Sequence, residues 1–131
     1  MLVCVSGLVH AQETTSTATG VYTDEQAKRG AAAYDANCAV CHGQELRSTD
    51  REIPNLSDKS FKFSWIGKTI AEKYELVRDT MPPKEEHSLA DQVYLDIVTY
   101  ILRFNKIPSG KQELSLDPNI LKQIVVSAPP D

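Results

Sequence analysis

Five consecutive positions, Cys38-Ala39-Val40-Cys41-His42, hold two of the three cysteines and one of the three histidines in a chain of 131 residues. That crowding constrains the fold more than any other feature, because the surrounding elements must house whatever joins the three side chains. Upstream, Ala27, Ala31, Tyr34 and Cys38 recur at helical spacing behind Thr23 and Gln26, which read as a capping box. A first helix is therefore expected to run straight into the motif. From Gly43 to Gly67 no period is sustained, and so long a loop in a small domain usually wraps something. Three uses of a Cys-x-x-Cys pair suit this context poorly. A thioredoxin-like dithiol wants a strand before it and a helix after it. A structural zinc site needs four ligands, and in a mature chain without the first eleven residues only His87 is left to join Cys38, Cys41 and His42. A plain disulfide leaves His42 without a purpose.

Cys-x-x-Cys-His is the attachment signature of c-type haem. Both thiols add across the vinyl groups of the porphyrin, and the adjacent imidazole ligates the iron from one face. Two intervening residues on a helical turn bring the sulfurs to about the vinyl spacing and set the next side chain under the metal. The sixth iron position has one good candidate. Apart from Met1 the only methionine is Met81, held between Thr80 and the stiff pair Pro82-Pro83, which suits a soft sulfur kept at fixed distance. His87, six residues on, is the rival ligand and reads better as a surface histidine. Only nine of the residues are aromatic, so a large apolar cofactor would supply much of the core.

The rest of the chain fits one helical domain. The first eleven residues, with a small residue at Ala11, read as the end of a secretory signal cleaved there, which would remove Cys4 and imply export. Residues 12–22 are Thr-rich and read as a flexible polar leader. Thr69 and Glu72 announce a helix with Ile70, Tyr74 and Val77 inward, and Pro82 ends it while pushing Met81 into an extended conformation. Another helix is expected from Ser88, paired with Asp91 as its cap, to Phe104. Its core face would be Val93, Ile97, Tyr100, Ile101 and Phe104, packed on the first helix. Gly30 hints at a close helix contact. No sheet is expected, and no apolar run reaches the ~20 residues that span a bilayer. The formal charge is −4 with no basic run, which argues against nucleic acid as a partner.

The ordered set "YDANCAVCHG", "IPNL", "TMPP" and "YLDIVTYILRFN" resembles a class I, mono-haem cytochrome c over residues 23–105. The resemblance implies an all-α fold, a small helical bundle around one covalent haem c. It implies that Cys38 and Cys41 are the thioether attachments, His42 the proximal iron ligand and Met81 the distal one. Pro54 would offer its carbonyl to the proximal imidazole, Gly30 and Tyr34 would cross Tyr100, and Trp65 or Tyr74 would border the propionates. Residues 106–131 would form a C-terminal extension wrapping the domain, similar to the ends of cytochrome domains that accompany quinoprotein dehydrogenases.

The expected function is that of a soluble, periplasmic one-electron carrier between a donor and an acceptor redox protein, such as a periplasmic dehydrogenase or a terminal oxidase. The competing expectations are a haem enzyme with an open sixth position, an electron-transfer subunit of a dehydrogenase, and a haemless binding module. Peroxidase-type chemistry would want a distal acid and base, which a TMPP loop does not resemble.

Overall fold

Thr23 holds the backbone N–H of Gln26 at 3.1 Å, and from that cap helix α1 runs over Asp24–Asn37. The computed structural model describes residues 3, 4, 7 and 14–131. The rest of the signal expected at residues 1–11, and the start of the leader, lie outside the described residues. The capping box at Thr23 is only half formed, because the Gln26 side chain is used elsewhere. Fully buried, it donates from Nε2 to the Leu114 carbonyl at 3.1 Å and accepts the Leu114 N–H on Oε1 at 2.7 Å.

Helix α1 stops at Cys38, whose backbone (φ −122°, ψ −34°) leaves the helical range, and a separate turn α2 covers Ala39–His42. The expected continuous helix into the motif is thus broken at its first cysteine. The stretch read as loop between Gly43 and Gly67 holds a further helix, α3, over Asp58–Ser64. Seven residues are too few to show a period, so this helix has no signature in the residue pattern. Helix α4 spans Ile70–Thr80 behind a complete capping box, with Glu72 N to Thr69 Oγ1 at 3.2 Å and Thr69 N to Glu72 Oε2 at 2.8 Å.

Helix α5 spans Asp91–Phe104, three residues later than the expected Ser88 start. Ala90 is its N-cap and, having only a methyl side chain, gives no cap bond, while Asp91 is engaged by the His87 ring at 2.8 Å. This helix packs along α1. Gly30 makes the close approach possible, since a Cβ there would overlap the backbone carbonyl of Asp96. Where the two helices cross, the rings of Tyr34 and Tyr100 lie 5.3 Å apart. Two expectations for α5 need correcting. Phe104 faces outward, and Leu95, Val98 and Leu102, left off the expected core face, are fully buried. The helix is covered on more than one side, so a single stripe could not describe it.

Helix α4 supplies the additional cover, and the tail packs in turn on α4. Ile107, Leu114, Leu121, Ile124 and Val126 of the tail are buried, and it carries helix α6, Pro118–Gln123, capped by Asp117. Strand β2, Ile124–Val125, then pairs in parallel with β1, Thr15–Ser16. This small ladder corrects the expectation of no sheet. The expected free leader is also absent over residues 14–22: β1 is followed by a 3-10 turn at Thr17–Thr19, and Thr17 and Tyr22 are fully buried. Tyr22 donates its hydroxyl to the Ile107 carbonyl, and the Gly110 N–H donates to the Tyr22 carbonyl at 2.6 Å. Both ends of the domain are thereby laced together beside α1. Among the described residues no helix is long and apolar enough to cross a membrane.

Candidate functional site

The short turn α2 gathers Cys38, Cys41 and His42. The Cys38 carbonyl accepts the N–H groups of Cys41 (3.2 Å) and His42 (2.9 Å), so one peptide oxygen sets the register of all three side chains. Gly43 ends the turn at φ +82°, where an added Cβ would overlap the Arg47 carbonyl. Tyr34, one turn before Cys38, donates its hydroxyl to the Gly43 carbonyl at 2.7 Å and so fixes the exit of the turn from α1. Neither thiol is in a disulfide. Burial, with a smaller contribution from Cys41, pushes the Cys38 thiol up to about 11. Burial thus favours the neutral thiol over the thiolate.

His42 is buried, and its Nδ1 lies 3.0 Å from the carbonyl oxygen of Pro54. A carbonyl oxygen only accepts, so Nδ1 must carry the proton. The lone pair of the neutral ring then resides on Nε2, which is the state a metal ligand requires. The loop that brings Pro54 to the ring is itself tied down. Leu46, fully buried at φ +58°, accepts the Leu56 N–H at 2.8 Å. Asn105, just past α5, donates to the Leu56 carbonyl at 2.9 Å. Nearer the turn, the Asn55 side chain accepts the Ser48 N–H at 2.8 Å.

Met81 closes α4, with its N–H on the Val77 carbonyl at 3.0 Å and an extended backbone (φ −125°, ψ 149°), as Pro82 demands. No hydrogen bond joins it to the attachment turn. The two are related through α5. Tyr94 of that helix donates its hydroxyl to the Met81 carbonyl at 2.8 Å, while Tyr100 packs on Tyr34, which holds Gly43. Helix α5 is thus the common support of both segments. Tyr94 gave no signal in the sequence, since it lies thirteen positions from Met81 and reads as one more apolar residue of a helix.

Trp65 is buried against Phe61, with centroids 5.5 Å apart, and the Lys73 ammonium sits 4.8 Å over its ring. Lys73 also donates to the Ser64 carbonyl at 3.0 Å, and burial, aided by Lys68, lowers its pKa. Tyr74 is stacked by Arg78 at 5.2 Å. Trp65 thus sits just past the end of α3 and Tyr74 within α4. His87 is exposed and occupied by Asp91.

The donor set suits a covalently held haem. Two unbridged thiols and an imidazole with its Nε2 free share one turn, and a thioether stands on a separate, well-anchored loop. It does not suit zinc: among the described residues no group of three or more His, Cys, Asp or Glu side chains could hold a metal ion.

A family model described as "Cytochrome C oxidase, cbb3-type, subunit III" matches residues 25–101. Among solved structures the chain is similar to one titled "Crystal Structure of the Sulfane Dehydrogenase SoxCD from Paracoccus pantotrophus", with a TM-score of 0.54 and 23% identity. The match covers 88% of this chain and 61% of the other, so the chain spans under two thirds of that length. At this identity the likeness is one of fold. No curated protein sequence matches the chain.

Proposed function

The chain belongs to the c-type cytochrome family whose model spans residues 25–101, and from that premise we propose that it works as a one-electron carrier between two redox proteins. Its cofactor is covalently attached haem c with its iron, and electron transfer is the function that goes with such a domain. In this reading Cys38 and Cys41 form the thioethers, His42 is the proximal ligand and Met81 the distal one. The observation that carries the reading is the Nδ1 to Pro54 bond, which leaves His42 ready to ligate through Nε2 from the turn that bears both thiols.

When bound, haem c would supply an iron that takes up and returns one electron, with Cys38, Cys41, His42 and Met81 as the residues that would hold it. The protein's part is to hold its own donors still. The Pro54 carbonyl keeps the His42 ring in one tautomer and orientation. Tyr34 and Gly43 fix the turn, and the Val77 and Tyr94 bonds fix the backbone of Met81 from both sides. Val40 stands exposed between the two cysteines, and Cys41 is exposed beside it. That surface is where a partner would meet the thioether edge, through a small and short-lived contact. The partners we assign are a donor and an acceptor, a periplasmic dehydrogenase or a terminal oxidase among them, and the address we assign is the periplasm.

A second reading, an electron-transfer subunit of a dehydrogenase, is favoured by the laced tail, an addition to the minimal cytochrome core that a fixed partner could use. Stable co-purification with a dehydrogenase would support it over the carrier.

The axial assignment is tested by replacing Met81 with Ala. The oxidised protein should show the weak long-wavelength band by which methionine-to-iron(III) bonding is recognised in the cytochrome c family, and Met81→Ala should lose it and bind cyanide readily. A wild type that lacks the band and binds cyanide as readily as the variant would overturn the assignment.

A further inference from the structure

The segment between α4 and α5 is short, polar and largely exposed, yet it is fastened at five points. Met81 N–H bonds to Val77, and the Met81 carbonyl accepts from Tyr94. His87 N–H reaches back to the Arg78 carbonyl at 2.9 Å, and the His87 ring meets Asp91. Lastly, the Leu89 N–H donates to the Tyr94 hydroxyl at 3.3 Å. One phenol therefore serves both ends of the loop, as donor at Met81 and acceptor at Leu89. Tyr94 is 1% exposed and sits in the first turn of α5, the helix that also supports the attachment turn through Tyr100 and Tyr34. Its ring meets that of His87 edge-on at 6.2 Å, so the loop packs on it as well as bonding to it.

We propose that Tyr94 is the positioning residue for the distal ligand: its hydroxyl ties the Met81 and Leu89 ends of the loop to α5 and so keeps the Met81 thioether in place against competing ligands. The proposal rests on the reading of Met81 as that ligand. Its physical content is simple. Any displacement of Met81 that carries its backbone along breaks the bond to a buried hydroxyl that finds no water to replace it. Met81 ligation and the two phenol bonds are then gained or lost together.

The test uses the haem-loaded protein with Tyr94→Phe, which keeps the ring and deletes only the hydroxyl. Thr99→Val is the control, because it removes another buried hydroxyl of α5, bonded at 2.7 Å to the Asp96 carbonyl, without touching the loop. Tyr94→Phe should retain full haem content and the long-wavelength band at neutral pH. Its cyanide association should be faster on the order of 5-fold, the factor one such bond is worth. The band should also be lost at lower alkaline pH, and the Leu89 amide should exchange faster. Thr99→Val should leave all three unchanged. Wild-type cyanide kinetics and wild-type pH dependence in Tyr94→Phe would overturn the proposal, as would equal acceleration in Thr99→Val, which would mark a general loosening of α5. A wild type without the band would overturn the Met81 reading and this proposal with it. That result is separate from the others, because they all require the band to be present in the wild type.

Discussion

The Nδ1 of His42 and the carbonyl oxygen of Pro54, twelve positions apart in the chain, stand 3.0 Å from each other, on a segment tied down by the Leu56–Leu46 bond and by Asn105. The bond comes from the backbone of residue 54, so it should survive loss of the ring. Pro54→Ala is expected to keep haem attachment complete and to shift the midpoint potential only modestly, as measured by redox titration. A large loss of haem would show that the proline ring organises the loop rather than merely presenting its carbonyl.

At Gly30 the constraint is steric. A methyl group there would overlap the Asp96 carbonyl and press on Tyr100, with backbone on both sides of the contact. Gly30→Ala should destabilise by about 3 kcal/mol, despite the better helix propensity of alanine. Thermal unfolding followed by circular dichroism measures this. A neutral or stabilising result would mean α1 and α5 are not held at this distance.

Gln26 mimics a strand edge, giving one donor and one acceptor to the single residue Leu114. Gln26→Leu keeps the volume but leaves both backbone groups of Leu114 unpaired in the interior. The expected cost is about 2–4 kcal/mol, from two buried groups at roughly 1–2 each. Removing residues 107–131 should cost more, because it uncovers Tyr22 and the side of α4 on which α6 and β2 pack. Wild-type stability in the truncated chain would show that the tail is an ornament.

Charge chemistry of the interior should appear at alkaline pH. Burial pushes the Tyr22 phenol up to about 12, with Arg103 acting weakly against it and Asp24 weakly with it. Burial also raises Tyr34. A raised folded pKa means that the neutral phenol is favoured in the native state. The unfolded chain begins to release these protons near its ordinary value of about 10, so stability is intact below that pH and falls between about 10 and 12. Each such group contributes a slope of up to about 1.4 kcal/mol per pH unit. Tyr22→Phe should be less stable at neutral pH, because the Ile107 carbonyl loses its donor. It should also decline less steeply above pH 10. Denaturant titrations across that window distinguish the two slopes, and identical slopes would contradict the assignment.

What could be read in the sequence is what acts over short spans. The Cys-x-x-Cys-His turn, the Thr69 and Glu72 cap, the extended backbone forced on Met81 by Pro82, and the Gly30 contact all express rules that operate within a few residues. The Pro54 carbonyl and the Tyr34–Tyr100 crossing came from family resemblance, and the structure places both groups in contact. The illegible parts depend on distant partners. Nothing near Gln26 discloses that it will bond to Leu114, eighty-eight positions away, and so its apparent role in a capping box was only half right. Phe104 fits the apolar stripe of α5 but faces outward, because α1 and α4 cover other sides of that helix. Ser88 lies two residues before the N-cap of α5, and Asp91, its expected partner, is bonded to the His87 ring. Tyr94, the contact on which the distal loop depends, looks like any buried tyrosine until the fold brings Met81 to it.

The central claim is that Cys38 and Cys41 each carry a thioether to one haem ligated by His42. Intact-mass spectrometry of the purified chain, read alongside its reduced-minus-oxidised visible spectrum, tests it most directly. The account predicts a mass higher by one haem that persists on denaturation, with a c-type spectrum. Cys38→Ser and Cys41→Ser should weaken the attachment, and the double variant should carry no covalent haem. A colourless protein with both thiols free to alkylation, purified from cells that mature other c-type cytochromes, would contradict it.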